Sequence, residues 1–275
     1  SVCSCNYEMV HILDHHEKAP KKCLAAAAVF RPLELFDWLI SSFYPDIYSD
    51  NGNGRISDDS MRELSFTFAA AIDTNSFFCA EFCVTHGVDV NSTENKDNSH
   101  PLFLALKSPF MMKYLLSLSN INKNPTEFGA TPFLRAVQLG NEQAFDVLFS
   151  DQDVDVLFKN DSGMNAFMFA AQNGHLNILK KLYESKKFDV NETDGLYGET
   201  SLYKACSERR ELIVEYLISL PEINASIKTN QDNNCLHVAC QRSHVEIVKI
   251  LVESGKVNKK EPGFREMTAE QMTMN

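Results

Sequence analysis

The side chains best suited to bind a metal ion are concentrated near the N-terminal end of the sequence. They are cysteines and histidines, at Cys3, Cys5, His11, His15, His16 and Cys23. On a helix, His11 and His15 would share one face, a spacing that zinc sites use. A metalloprotease also needs a glutamate directly after the first histidine to activate water, and here that residue is Ile12. We therefore predict surface histidines and no bound zinc.

A calcium site is the second candidate, in the segment from Ser49 to Ile56. This segment resembles the start of an EF-hand loop, because Gly54 takes the sixth position and Ile56 the eighth. The resemblance fails at two positions that should carry negative charge. Ser49 replaces the first carboxylate and Ser60 replaces the bidentate glutamate. We therefore predict a loop between helices, without calcium.

Catalysis would need a nucleophile, a general acid or base, or a phosphate-binding loop. Cys235, His237 and Cys240 lie close enough in sequence to suggest a cysteine nucleophile with a histidine base. Free cysteine is more often a small buried hydrophobic residue, so we predict structural roles for both thiols. The glycines are scattered at turns, and no pair of carboxylates stands out. The sequence predicts no enzymatic activity, no catalytic residue and no cofactor.

Composition and charge exclude several classes of partner. The chain has 275 residues, with 26 Lys and Arg against 37 Asp and Glu, which gives a formal net charge of −11. Because no basic block interrupts this acidity, we predict no binding to nucleic acid and no attraction to acidic membrane surfaces. The longest apolar runs, such as Cys23 to Phe30, are far shorter than the ~20 residues that cross a bilayer, so we predict no membrane insertion.

The cysteine content indicates the compartment. Eight cysteines without a signal-like start indicate reduced thiols and a cytoplasmic protein. Four Asn-x-Ser/Thr matches do not change this interpretation, because so short a motif occurs by chance; they are Asn91, Asn160, Asn191 and Asn224.

One pattern recurs along almost the whole chain, an apolar anchor followed three positions later by a small residue. Subtracting each anchor from the next gives spacings of 44, 34, 31, 34, 35 and 34 residues, for Leu24, Phe68, Leu102, Phe133, Phe167, Leu202 and Leu236. The small residue lets two antiparallel helices approach closely, and one helix pair cannot bury its apolar face alone. The sequence therefore predicts an all-α solenoid of seven stacked helix-turn-helix units.

Three segments carry a motif that is similar to the first helix of an ankyrin repeat. They are Gly129 to Ala136, Gly198 to Ala205, and Cys235 to Cys240. The chain therefore resembles an ankyrin-repeat protein, and the resemblance implies short finger-like loops between stacked helix pairs.

The turn residues of that family are only partly retained. The family's histidine remains only at His237, to which the resemblance gives a structural role, and its threonine remains at Thr131 and Thr200. Asparagine replaces the threonine at Asn165 and Asn234. Each lost turn hydrogen bond costs about 1 kcal/mol, so we expect these repeats to be less stable than repeats of the consensus sequence.

The repeats divide the sequence into three parts. We predict a capping helix within residues 1–20, the solenoid over residues 21–258 with a loop insertion at about 44–62, and the start of an eighth, incomplete repeat at 259–275. Because the sequence starts without methionine and stops inside a repeat, we expect it to be a piece of a longer protein.

Ankyrin proteins bind partners on the loop tips and on the solvent side of the first helices. The resemblance implies contacts at the tip residues Phe128, Leu196, Tyr197 and Gln231. On the first helices it implies contacts at Gln138, Leu139, Gln172, Asn173, Glu208, Gln241 and Arg242. Phe128 and Tyr197 are reasonable aromatic anchors for a partner, but the sequence leaves open whether each packs on its neighbouring finger instead.

These observations favour a non-enzymatic scaffold or adaptor, a monomer without cofactor that binds another protein. The alternative is the regulatory or substrate-docking arm of a larger multidomain enzyme whose catalytic part lies outside this chain. A third interpretation, a metal-sensing module, would require zinc at the N-terminal cluster or calcium at the Asn-Gly loop.

Overall fold

The computed structural model describes residues 40–41, 44–47, 56–95, 98–263, 268 and 271. The chain divides into two compact units, residues 1–123 and 124–275. The described part contains twelve bounded α-helices and no strand, only isolated bridges such as that between Glu127 and Ala130. The predicted all-α fold class is confirmed.

In the first unit, a short 3-10 helix at Pro45–Ile47 precedes four α-helices. They are α1 (Asp58–Asp73), α2 (Phe77–Thr85), α3 (Pro101–Leu104, followed by a 3-10 turn at Ala105–Lys107) and α4 (Pro109–Ser117). Helix α1 packs against α2 and α3, and α3 packs against α4. The helical segment formed by α3 and its 3-10 turn ends at Lys107, because Pro109 disfavours helical backbone at Ser108, which is extended with φ −131° and ψ 102°. The same early turn explains why the third repeat is shorter than the others.

Helix α1 begins at Asp58, inside the segment that the sequence assigned to a loop insertion at about 44–62. Its first turn is held by Asp46, whose carboxylate accepts hydrogen bonds from Ser57 N and Ser60 Oγ, both at 2.8 Å. Ser60, which stands where an EF-hand would have its glutamate, is therefore a buried residue of a helix start. Residues 48–55 of the Asn-Gly loop lie outside the described residues.

The second unit contains four described helix pairs. The first helices are α5 (Pro132–Leu139), α7 (Ala166–Asn173), α9 (Ser201–Ser207) and α11 (Cys235–Gln241). The second helices are α6 (Glu142–Ser150), α8 (Leu176–Glu184), α10 (Glu211–Ser219) and α12 (Val245–Glu253). Each first helix packs against its own second helix, and successive first helices from α5 to α11 pack against each other.

The predicted anchors form the core of both units. Phe68, Leu102, Phe133, Phe167, Leu202 and Leu236 are all buried, and so is the alanine three positions after each of them. Because alanine brings no bulk to the contact, neighbouring first helices pack closely. The anchor Leu24, the predicted capping helix and the N-terminal cysteine-histidine cluster lie outside the described residues, as does most of the predicted eighth repeat.

At several repeat boundaries an asparagine ties one repeat to the next. In the second unit, Asn191 Nδ2 donates to Glu222 O (2.7 Å) while Asn191 Oδ1 accepts from Asn224 N (2.8 Å). Asn91 makes the same pair of bonds within the first unit, to Asn120 O and from Asn122 N. Both asparagines belong to Asn-x-Ser/Thr matches, and a glycan on either amide would break this bridge. The contact between stacked repeats therefore explains why asparagine stands at these two positions.

Candidate functional site

Hairpin loops precede the first helices of the second unit. We name them, by a residue at each tip, the Phe128 finger (127–130), the Ser162 finger (160–164), the Tyr197 finger (194–199) and the Gln231 finger (229–233). A backbone hydrogen bond closes the base of each, at 2.9 Å for Glu127 N to Ala130 O and 3.0 Å for Asp194 N to Glu199 O. The fingers are therefore compact turns rather than loose loops.

Phe128 is the most exposed large apolar side chain of the described residues, with 97% of its surface accessible. Its φ is +49°, and Gly129 follows with φ +70°. Two successive residues with positive φ form the tight hairpin turn for which Asn-Gly is the favoured sequence. A phenylalanine there costs about 1 kcal/mol of backbone strain, and it recovers none of that through burial. Phe128 does not pack on the neighbouring finger.

Leu196 and Tyr197 are also exposed, at 52% and 55%. Their backbone is held from both sides: Asp194 Oδ1 accepts from Tyr197 N (2.8 Å), and Asn230 N donates to Tyr197 O (2.9 Å). Asn230 Nδ2 also donates to Leu196 O at 3.1 Å. The two side chains therefore project from a fixed backbone that two adjacent fingers share.

A buried ion-pair cluster supports the Tyr197 finger. Lys204 Nζ lies 2.6 Å from Asp194 Oδ2 and 2.7 Å from Glu199 Oε2, and the side chains of Lys204 and Asp194 are 5% and 1% exposed. Burial raises the pKa of the Asp194 carboxyl, but the hydrogen bonds from Lys204 and from two backbone amides outweigh it and hold the pKa below its ordinary value. Sequence reasoning missed this cluster, whose only signal was a lysine two positions after the anchor Leu202.

The predicted first-helix positions differ in how much of each side chain is accessible. Leu139 is 62% exposed, and Glu208, Gln241 and Arg242 are exposed, as is Gln231 at a fingertip. Gln138, Gln172 and Asn173 are half-buried. That these residues bind a partner stays a prediction.

Some of these positions also join neighbouring repeats. Asn173 Nδ2 donates to Gln138 O (3.2 Å), and Arg242 Nη1 donates to Ser207 O (3.1 Å). His175 and Arg210 bind the carbonyl oxygens of Gln138 and Gln172 in the same way. These donors satisfy carbonyl groups at helix C-termini that have no partner within their own helix.

The thiols and histidine that suggested catalysis have structural roles. His237 is buried; its Nε2 donates to Glu261 O (2.9 Å), which leaves Nδ1 to accept from Asn234 N (3.2 Å). Burial lowers the pKa of His237 and raises that of the Cys240 thiol, which favours the neutral form of both. Cys235 is buried too, and its thiol donates to Ala225 O. Burial and these hydrogen bonds agree with the predicted structural roles, and the absence of catalysis stays a prediction.

The described residues contain neither a group of metal-ligating side chains nor a membrane-spanning helix. No group of three or more His, Cys, Asp or Glu side chains is placed to hold a metal ion in that part of the chain. No described helix is both long and apolar enough to cross a membrane.

The closed fingers and stacked helix pairs agree with comparisons to known proteins. The family model for three copies of the ankyrin repeat matches residues 66–160, 110–194, 133–228 and 167–261. Among solved structures, the ankyrin repeat domain of Bcl-3, a member of the IkappaB protein family, matches with a TM-score of 0.64 and 17% sequence identity, over 74% of this chain and 92% of that one. At this identity the likeness shows the fold alone. Matches extend to 432 solved chains, so the fold does not select a partner.

Ankyrin repeats are generally protein–protein interaction modules and are typically non-catalytic. The family match covers the anchors from Phe68 to Leu236, and the predicted repeat pattern is confirmed there. This chain belongs to the ankyrin-repeat family.

Proposed function

We propose that this chain is a non-enzymatic interaction module that binds another protein through the fingers of its second unit. Phe128, Leu196 and Tyr197 are the anchors of this surface, and the polar side chains on the first helices set its specificity. The module acts in the cytoplasm. It is a monomer and does not bind nucleic acid, as its net charge of −11 favours.

The observation that carries this proposal is the conformation of Phe128. A fully exposed aromatic ring at positive φ adds nothing to the core and strains the turn, whereas asparagine would relieve the strain. Residues held in unfavourable backbone conformations are concentrated at binding and catalytic sites, where function compensates for the cost. Aromatic side chains presented on rigid backbone are also the residues that dominate interface energies.

A second support is the fixed position of Leu196 and Tyr197. The hydrogen bond to Asp194 and those from Asn230 hold their backbone before any partner binds. A surface that is already ordered loses less conformational entropy on binding, so more of the contact energy appears as affinity.

The proposal is tested by a pull-down from the native cell extract, read by mass spectrometry. The bait is the wild-type chain, a Phe128→Ala/Tyr197→Ala double variant, or a Phe110→Ala control. Phe110 is 71% exposed on α4 of the first unit, so its loss removes a surface aromatic without touching a finger. We expect a partner that the wild type and the control retain and that the folded double variant loses.

A partner retained equally by all three baits would contradict the finger surface and move the site elsewhere. Circular dichroism and thermal unfolding of each bait establish that the variants are folded. Full retention of structure is expected, because neither Phe128 nor Tyr197 is buried.

A further inference from the structure

We infer that the partner segment bound by the fingers of the second unit is basic, an extended stretch of protein that carries arginine or lysine next to apolar side chains. This inference rests on the proposed function and names the class of partner. It comes from the charge of the fingers, from the carboxylate that lies beside the Phe128 finger, and from the spacing of the anchors.

The fingers of this unit carry charge of one sign. The four ranges contain five acidic residues and no lysine or arginine, the acids being Glu127, Asp161, Asp194, Glu199 and Asp232. Lys204 reaches Asp194 and Glu199 from α9 and pairs with both. Asp161 and Asp232 are exposed. The exposed charge around the apolar fingertips is therefore negative, and its complement is a cationic partner.

One of these carboxylates borders the Phe128 finger. A Cβ placed on Gly129 would lie 3.7 Å from Asp161 Oδ2, so the Asp161 side chain reaches the turn that presents Phe128. A guanidinium group can stack on an aromatic face and at the same time donate to a carboxylate. The exposed ring of Phe128 and the Asp161 carboxylate supply both halves of such a contact on adjacent fingers.

The basic residues of this unit do not neutralise the negative charge at the fingertips. Arg210 and Arg242 lie at the far ends of the first helices, where they bind the carbonyl oxygens of Gln172 and Ser207. Arg135 lies on α5, outside the finger, and is half-buried. Lys159 and Lys228 directly precede the Ser162 and Gln231 fingers, and each pairs with a glutamate, Glu192 or Glu261. The only charged residues within the four fingers themselves are acids.

The spacing of the anchors gives the length of the segment. One finger separates Phe128 from the Leu196–Tyr197 pair, so the two anchors are two repeats apart. Packed helices lie about 8–10 Å apart, which places the anchors roughly 16–20 Å apart. An extended chain advances about 3.3 Å per residue, so about five or six residues of the partner span this distance. An octapeptide is long enough to reach both anchors.

The probe is a display library of random octapeptides, selected against the full wild-type chain. We expect the selected peptides to be enriched in arginine or lysine, with apolar residues about five or six positions away. Their affinity should fall more than about tenfold for Phe128→Ala/Tyr197→Ala, because the anchors dominate the energy. It should fall about three- to fivefold for Asp161→Asn and also as salt is raised from 50 to 500 mM.

Glu253→Gln is the matched charge control. Glu253 is an exposed acid at the end of α12, so its substitution removes one negative charge outside the fingers. We expect the selected peptides to bind this variant as they bind the wild type. An equal loss with Asp161→Asn and Glu253→Gln would show a response to net charge alone and would overturn the inference.

The remaining outcomes separate this inference from the proposed function. Peptides that lose affinity in the double variant but show no basic enrichment, or are acidic, overturn the inference and leave the finger surface in place. Peptides that bind the double variant as well as the wild type overturn both. A library that yields no binder overturns the inference, because the inference specifies a linear segment. The proposed function is then tested by the pull-down alone.

Discussion

The repeats of the second unit are of two kinds, which differ in the residue that caps the start of the first helix. Thr131 and Thr200 accept from the backbone amides of Leu134 and Tyr203, both at 3.2 Å, and the residues 27 positions after these caps are apolar, Phe158 and Ile227. Asn165 and Asn234 also cap their helices, but each carries a buried amide group that needs an acceptor. Glutamates 27 positions later supply it.

Each glutamate that accepts from an asparagine cap also forms an ion pair with a lysine. Asn165 Nδ2 donates to Glu192 (2.5 Å) and Asn234 Nδ2 to Glu261 (3.3 Å). Each glutamate pairs with a lysine six positions before the cap, Lys159 or Lys228. In the Thr200 repeat that position holds Asp194, whose ion pair with Lys204 closes within its own repeat. One change at the cap is therefore accompanied by two others. The buried amide donor needs an acceptor, and the half-buried glutamate that accepts from it pairs in turn with a lysine.

The expected loss of the turn hydrogen bond does not occur at the asparagine caps, while the lower stability of these repeats stays a prediction. Both asparagines keep the hydrogen bond to the helix start, and Asn234 with His237 adds the reciprocal bond of a capping box. What differs from threonine is the number of partners that each cap requires, and not the cap itself. Three predictions test this comparison, and a fourth concerns a fingertip.

The largest effect is expected where an ion pair is buried. Lys204→Met leaves the Asp194 carboxylate, which is 1% exposed, without its cation, and we expect a loss of about 3–5 kcal/mol of unfolding free energy. Lys159→Met removes a lysine that is 48% exposed, and we expect a loss of at most about 1 kcal/mol. Urea unfolding of both variants measures the difference. Adding Asp194→Asn to Lys204→Met should recover part of the loss, and no recovery would contradict the account.

The next largest effect separates the two caps. Asn234→Ala removes the acceptor for Leu236 N and His237 N and leaves Glu261 without one of its donors, so we expect a loss of about 2 kcal/mol. Thr131→Ala removes one cap bond and should lose about 1 kcal/mol. The midpoints of urea unfolding give both values. Equal losses would mean that the glutamate and lysine add nothing to the asparagine cap.

A third cap, in the first unit, makes stability depend on pH. His100 Nδ1 accepts from Leu102 N at 3.2 Å, which requires neutral imidazole, and burial lowers the pKa of His100 from 6.5 to about 4 against the opposing field of Asp89. Because the folded pKa lies below the unfolded one, this stability is complete above pH 6.5 and is lost as the pH falls toward 4. We expect a loss on the order of 1 kcal/mol by pH 5.5. His100→Asn, a cap that does not titrate, should lose less over the same range in urea unfolding.

The smallest change in stability is expected at the fingertip, and with the opposite sign. Phe128→Asn gives the turn its favoured Asn-Gly sequence, so we expect a gain of about 0.5–1 kcal/mol. The same variant should lose the partner in the pull-down. A loss of stability would mean that the Phe128 ring contributes to folding and would remove the main support for its role as an anchor. Thermal unfolding with the wild type as reference decides between the two.

The sequence predicted the repeating core because that pattern is local and one-dimensional. Phe133, Phe167, Leu202 and Leu236 recur at nearly constant spacing, and burial of an apolar stripe on each first helix follows from the helical period alone. The structural role of His237 came from the resemblance to the ankyrin motif. The cluster of Lys204, Asp194 and Glu199 could not be predicted, because one charged residue at a variable position does not show which carboxylate it meets.

The sequence by itself determined the fold class, the repeat register and the buried side of each helix, since these depend on side chains a few residues apart. Only the tertiary structure decided which residues stay accessible. Phe128 and Leu102 are both apolar residues near a helix start, yet one is fully exposed and the other buried. Exposure depends on whether the neighbouring repeat reaches a side chain, and hydrogen bonds such as those from Asn230 to the Tyr197 finger fix that geometry across about 34 residues of sequence.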